Sequence, residues 1–160
     1  SKKGNYYCFR DFMSNIKILS QYVKNLSFQV PQAFEVFMKN PQKPDISVAI
    51  DLDAKKLSAQ NYEITIKISA NATTKPDKLF DCEASYAGLF AVQNVEGEML
   101  EQILLIYCPN LLFPFLRRIV ANLTTDAGFA PLMLDPIDFA TLYARRKAAE
   151  KMPPINDTVN

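Results

Sequence analysis

Apolar and polar residues alternate through the first half of the chain, and the spacing changes to that of a helix in the second half. From Ile16 the alternation puts Ile16, Ile18, Tyr22, Leu26, Phe28 and Val30 on one face and Lys17, Gln21, Asn25, Ser27 and Gln29 on the other. Successive strand side chains point to opposite faces, so this reads as a long half-buried strand ended by Pro31. Leu19 and Val23 interrupt the polar face, as they would if a partner strand covered them. Ile46, Val48, Ile50 and Leu52, alternating with Asp45, Ser47, Ala49, Asp51 and Asp53, predict a second strand. Tyr62 to Asn71 predicts a third, and Phe80, Cys82, Ala84 and Tyr86 a fourth that ends near Gly88 or soon after it. Short polar connections predict an antiparallel meander with one apolar face and one wet face. Between the first two strands, residues 31–44 are bounded by prolines and carry Phe34, Val36, Phe37 and Met38. They read as a loop or edge excursion, either pinned to its own core or forming one wall of a groove.

Helical spacing begins near Glu96, through Met99, Ile103, Ile106 and Tyr107, and resumes after Pro109. Pro109 and Pro114 fit the first turn of a helix, where N–H groups lack intrahelical partners. Leu116, Ile119, Val120 and Leu123 then form one apolar stripe available for burial. Gly128 ends that helix, being suited to the left-handed position after the last turn. Phe129 to Phe139 is a connector with many large apolar residues for its length. A last helix is expected from about Phe139 to Lys151, with Arg145, Arg146 and Lys147 near its C-terminus, where cations suit the helix dipole. Four antiparallel strands followed by helices packed on one face make an α+β plan. Residues 16–151 form one domain. Residues 1–15, with Tyr6, Tyr7, Phe9 and Phe12, read as a poorly ordered leader or a segment packed on the body, or more sharply as a client-binding or self-associating patch. Residues 152–160 read as a flexible tail.

Composition narrows the function. The chain has 160 residues and a formal charge of +1, with its basic residues scattered, so nothing points to nucleic acid. Three widely spaced cysteines, Cys8, Cys82 and Cys108, make neither a disulfide framework nor a zinc-type pair and fit free thiols in a reducing cytosol. No run of eighteen apolar residues is present and the N-terminus lacks a signal-peptide core, so a cytoplasmic protein without membrane insertion is expected. The chain contains no histidine, which removes the Ser-His-Asp and Cys-His designs and the commonest metal ligand. Phosphate-binding glycine loops are absent as well. Asp45, Asp51 and Asp53 share a strand face but fit no cation-loop spacing and read as a solvated surface. Cys82 and Glu83 are adjacent on a strand and point apart. No enzyme, no cofactor and no metal are therefore expected. What remains is an excess of apolar side chains in loops and at element ends, which either pack the core or converge on a groove.

Pro109-Asn110-Leu111-Leu112-Phe113-Pro114, followed by Phe129-Ala130-Pro131-Leu132-Met133-Leu134-Asp135-Pro136-Ile137-Asp138-Phe139, resembles the signature of SecB, the bacterial protein-export chaperone family. The resemblance extends more weakly back to about Ile16. It implies an ATP-independent holdase that binds unfolded precursor polypeptides in apolar grooves and passes them to the SecA export motor. It implies a homotetramer, a dimer of dimers, with helices sandwiched between sheets. Carried onto this sequence, it places client binding at Phe34, Phe37, Met38, Leu132, Leu134, Phe139 and Tyr143. Leu116, Ile119, Val120 and Leu123 would lie in the oligomer interface. The motor contact would fall at Glu83 and Asp81, with Asn25 and Gln29 standing where relatives commonly carry carboxylates. The family is usually strongly acidic, and this chain is near neutral. A related reading is a SecB-like chaperone dedicated to one client, such as an antitoxin. Another is an oligomeric scaffold with no client.

Overall fold

The computed structural model describes residues 15–39, 43–75 and 77–151. The leader with its aromatic cluster, and the tail after Lys151, lie outside the described residues. Four strands come first: β1 (Ile16–Gln29), β2 (Asp45–Lys56), β3 (Asn61–Thr74) and β4 (Asp77–Val92), with a short helix α1 (Ala33–Met38) between β1 and β2. They form one antiparallel sheet in the order β1-β4-β3-β2. The expected meander is therefore only partly right. β2, β3 and β4 are sequential neighbours, but β1 pairs with β4, and the chain crosses to the far edge before starting β2. This is a Greek-key order. Within the segment that joins β1 to β2, α1, expected as a loop or edge excursion, packs against β4.

β3 and β4 form the centre because their alternation is the most apolar. Tyr62, Ile64, Ile66 and Ile68 of β3 lie beside Phe90, Gly88, Tyr86 and Ala84 of β4 on one face, all buried. Each fully buried isoleucine contributes about 1.5–3 kcal/mol from the removal of apolar surface from water. β4 runs four residues past Gly88, and Phe90 and Val92 continue the buried row. Gly88 is needed for space. A Cβ there would lie 2.7 Å from a Phe90 ring carbon and 2.9 Å from Leu112 Cδ2, so the missing side chain lets a helix seat on the sheet.

β1 departs from simple alternation. Its register slips between Ile18 and Ser20 and again between Val23 and Asn25. Each extra residue reverses which face the next side chain takes. Tyr22, assigned by period to the apolar face, is therefore on the polar one, where its hydroxyl donates to Glu63. Gln21 and Val23 move to the helix side, where Gln21 Oε1 accepts from Tyr86 at 3.3 Å. Lys24, at the second slip, reaches Glu63 at 2.5 Å. β3 and β1 are thus tied across β4.

The helical half is α2 (Gly97–Gln102), a wider π-helical stretch (Ile103–Tyr107), α3 (Cys108–Asp126) and α4 (Phe139–Lys151). The first three join into one helix of 30 residues from Gly97 to Asp126. Pro109 does not start a helix, contrary to expectation, and Pro114 is also internal. A proline in a helix lacks an N–H and its ring crowds the carbonyl four residues back. The π-helical turn directly before Pro109 alters that ladder at the place where the ring arrives. This joined helix is long and apolar enough to cross a membrane by length and composition, although no unbroken apolar run announced it. Its inner residues Ile103, Leu112, Leu116 and Val120 are fully buried in the chain's own core.

Candidate functional site

The chain between α3 and α4 shapes the site, and the end of α3 sets its course. Ala127 caps the C-terminus of α3 and Gly128 follows at φ +92°. The Phe129 N–H donates to the Thr124 carbonyl and the Gly128 N–H to that of Thr125, both at 3.0 Å, which is a Schellman closure. Thr124 is wholly buried; its hydroxyl donates to the Val120 and Ala121 carbonyls and accepts the Leu132 N–H at 2.8 Å. The connector is thereby held against the sheet without strand pairing. At its far end Asp138 caps α4, accepting from the Thr141 N–H at 3.0 Å and the Thr141 hydroxyl at 2.8 Å. These bonds, the backbone one first, hold the Asp138 carboxyl below its usual pKa.

A groove follows between this connector and β2. Its first part, about 510 Å³, has Phe80 and Phe129 among its lining, with Phe37 and Val36 on one side and Lys43 and Pro44 on another. The rings form a ladder: Phe28 to Phe80 at 5.1 Å, Phe80 to Phe129 at 5.2 Å, Phe129 to Phe37 at 5.3 Å. The second part, about 580 Å³, lies between Ile46, Val48 and Ile50 of β2 and Leu132 to Asp138, with Leu142 and Arg145 of α4 beyond. Ile46 and Leu132 line both parts, so the two are continuous. Ile46, Val48 and Ile50 are 37–45% exposed although they face the helix side of the sheet. No helix of the described chain covers β2 fully, which leaves its apolar row open.

The expected client residues divide. Phe37 and Leu132 line the groove, and Phe34 and Met38 stand on α1 at 73% and 72% exposure. Leu134 lines the second part of the groove although only 3% of it is exposed, whereas Phe139 and Tyr143, 1% and 9% exposed, secure α4 to the core. Phe139 packs edge-on against Phe113 at 6.1 Å. The residues that sequence reasoning missed are Ile46, Val48 and Ile50. Their alternation was plain, but only the strand order makes β2 an uncovered edge.

The expected interface stripe divides as well. Leu116 and Val120 have no exposed surface within the single chain, whereas Ile119 and Leu123 are half-buried. Phe115, at 41% exposed, stacks on Tyr86 at 5.8 Å beside the β1 edge. Ile18, Leu19, Val23 and Leu26 on that edge are 43–49% exposed.

The expected motor residues do come together. Gln29 pairs with Asp81 in register, Ser27 with Glu83 and Asn25 with Ser85, all on the face away from the helices. Asp81 also meets Lys78 at 2.7 Å. Burial pushes the thiols of Cys82 and Cys108 up, the latter to about 12, so neither is a reactive thiolate at neutral pH.

Comparison with known proteins gives one family. Residues 10–150 match the family described as preprotein translocase subunit SecB. A protein-export protein SecB of Parvibaculum lavamentivorans is 47% identical over 131 residues, covering 82% of this chain and 78% of the relative. One from Rickettsia massiliae is 41% identical over 137 residues, covering 85% and 90%. Among solved structures, a Mycobacterium tuberculosis SecB-like chaperone in complex with an antitoxin peptide superposes with a TM-score of 0.64 at 15% identity, covering 78% of this chain and 92% of that one, which shows the shared fold.

Proposed function

The chain belongs to the SecB family, and from that membership we propose that it is an ATP-independent export chaperone holding unfolded precursors along the β2 groove. The observation that carries this reading is the open apolar row of Ile46, Val48 and Ile50 facing Leu132 and Met133. An unfolded client exposes apolar side chains that a folded protein has buried, so such a groove selects by folding state rather than by sequence. Each segment binds weakly. Several grooves on one assembly raise the effective concentration for a single long client and convert weak contacts into useful avidity. Holding needs no bond chemistry, and release needs only that the client find a better partner.

The assembly we propose is a dimer of dimers in the cytoplasm. It uses the β1 edge with Phe115, and Ile119 and Leu123 on α3, rather than Leu116 and Val120. The proposed client set is Phe34, Phe37, Met38 and Leu132 with Ile46, Val48, Ile50 and Phe129. Glu83, Asp81, Asn25 and Gln29 form the proposed contact with the SecA motor, with Asp81 partly neutralised by Lys78.

Native mass spectrometry tests the reading. The purified chain alone is expected at the mass of four copies. With a slow-folding precursor diluted from denaturant, it should gain one client without nucleotide. Four copies that bind no client, under conditions where a known chaperone holds the same precursor, would leave a scaffold or a chaperone dedicated to a single client.

A further inference from the structure

The groove between β2 and the connector is not evenly charged. Its first part is lined by Lys39 and Lys43 and, among the described residues, by no carboxylate. Lys39 is offset by Asp77 at 2.6 Å. Lys43 is exposed and makes no ion pair among the described residues, so one positive charge is in excess there. The second part is lined by Asp135, Asp138 and Arg145. Bonds from the Thr141 N–H and hydroxyl keep Asp138 ionised at neutral pH. Asp135 and Arg145 are exposed and make no ion pair among the described residues. Arg145 offsets one of the two carboxylates, so one negative charge is in excess at this end.

The distance between the ends decides whether they act separately. Ile46 lines both parts and Ile50 only the second. From Ile46 to Ile50, β2 rises about 13 Å. That already exceeds the Debye length of about 8 Å at physiological salt. Each end is therefore felt by the client residue nearest to it, and the opposite charges do not cancel along the groove. The apolar row between them cannot rank one unfolded stretch above another of equal apolarity. The ends can, because a like charge placed beside either one is repelled.

Resting on the reading of this groove as the client site, we propose that it selects client segments with mixed flanks. The preferred segment is an apolar stretch with a carboxylate side chain at one end, seated by Lys43, and a lysine or arginine at the other, seated by Asp135. A segment flanked by two cations or by two carboxylates gains at one end and is repelled at the other. Mixed flanks also fix which way round the segment lies in the groove.

The test uses the full chain at physiological salt and dye-labelled peptides that share one apolar core of about six residues, long enough when extended to span the groove. Their flanks are Glu and Lys, Lys and Lys, Glu and Glu, or Ser and Ser, and binding is read by fluorescence anisotropy. The Glu/Lys peptide should bind about fivefold more tightly than either like-charged peptide, the scale of two exposed charge contacts. Lys43→Glu should make the Lys/Lys peptide the tightest binder, and Asp135→Lys should do the same for the Glu/Glu peptide. The Ser/Ser peptide reports on the groove itself. Its affinity should be unchanged in both of these variants and should fall in Val48→Lys. Ser/Ser binding that ignores Val48→Lys removes the groove as client site, and the selection falls with it. Ser/Ser binding that falls as expected, while the charged peptides rank equally or keep their ranking in Lys43→Glu and Asp135→Lys, leaves the client site standing and overturns the selection by charge.

Discussion

The Tyr143 hydroxyl on α4 donates to Glu101 Oε2 on α2 at 3.1 Å, forty-two residues away in sequence. The same oxygen accepts from Lys147 Nζ at 2.5 Å, one helical turn beyond Tyr143. This pair of contacts fastens α4 beside the groove. Lys147, then Tyr143, hold the Glu101 carboxyl below the usual glutamate pKa. The bond to Glu101 raises Lys147 in turn, and burial, then the same carboxylate, raises Tyr143. A depressed carboxylate contributes stability that is present above its unfolded pKa and lost as pH falls through the folded one. A raised lysine contributes stability that is present below its unfolded pKa and lost as pH climbs through the folded one. The fastening therefore acts across neutral pH and fails at both extremes. Lys147→Ala should lower the melting temperature slightly at pH 7, as exposed pairs do. The difference from the parent should vanish in acid below the glutamate range, as followed by circular dichroism.

Client holding should follow exposure rather than apolarity. Val48→Lys changes a residue 40% exposed in the groove, so stability should shift by only about 0.5 kcal/mol. Retention of a denatured precursor should fall markedly. Leu134→Asp puts a carboxylate where only 3% of the residue reaches solvent, which should cost several kcal/mol and unfold the chain. Parallel denaturant titrations and client-aggregation assays separate the two. Equal loss of holding and of stability in Val48→Lys would remove β2 from the client site.

The contrast between those residues shows what the sequence made legible. Period two located all four strands, and α4 runs from Phe139 to Lys151 as expected. Face assignment failed where local pattern and tertiary context part. Tyr22 obeys the period of β1 until a bulge reverses it. Leu134 and Phe139 sit in the segment that carries the family resemblance, yet Leu134 reaches the groove with only 3% of its surface and Phe139, like Tyr143 one turn on, packs into the core. Pro109 looked like a beginning because its chemistry suits one, and only the preceding π-helical turn makes it tolerable inside a helix. None of these follows from composition or spacing, because each depends on what another element places alongside.

Gly128 couples the helix end to the groove. At φ +92° a side chain is strained, and a Cβ there would lie 3.2 Å from Phe37 Cε1. Gly128→Ala should cost about 1–2 kcal/mol from the left-handed backbone alone, which lowers the melting temperature by a few degrees in a chain of this size. It should also push Phe37 away from Phe129 and weaken client binding beyond the stability loss. Gly128→Asn, better suited to that conformation, should recover part of the stability but not the displaced ring.

Thr124 gives the most direct link between core and function. It is fully buried on α3, and its hydroxyl is at once a donor to two carbonyls of its own helix and the acceptor for the Leu132 N–H. Among the described residues the Leu132 N–H donates to Thr124 Oγ1 alone, and Leu132 lines both parts of the groove. Thr124→Val keeps the shape and removes the oxygen. The orphaned N–H should then cost about 1–3 kcal/mol. Because the helix carbonyls retain their backbone partners, that loss should fall on the connector rather than on α3. Hydrogen exchange should accelerate at Leu132 and its neighbours while the centre of α3 stays protected. Client release should speed up as the wall loosens. If α3 and the connector lose protection together, Thr124 serves the core as a whole, and the groove wall has no anchor of its own.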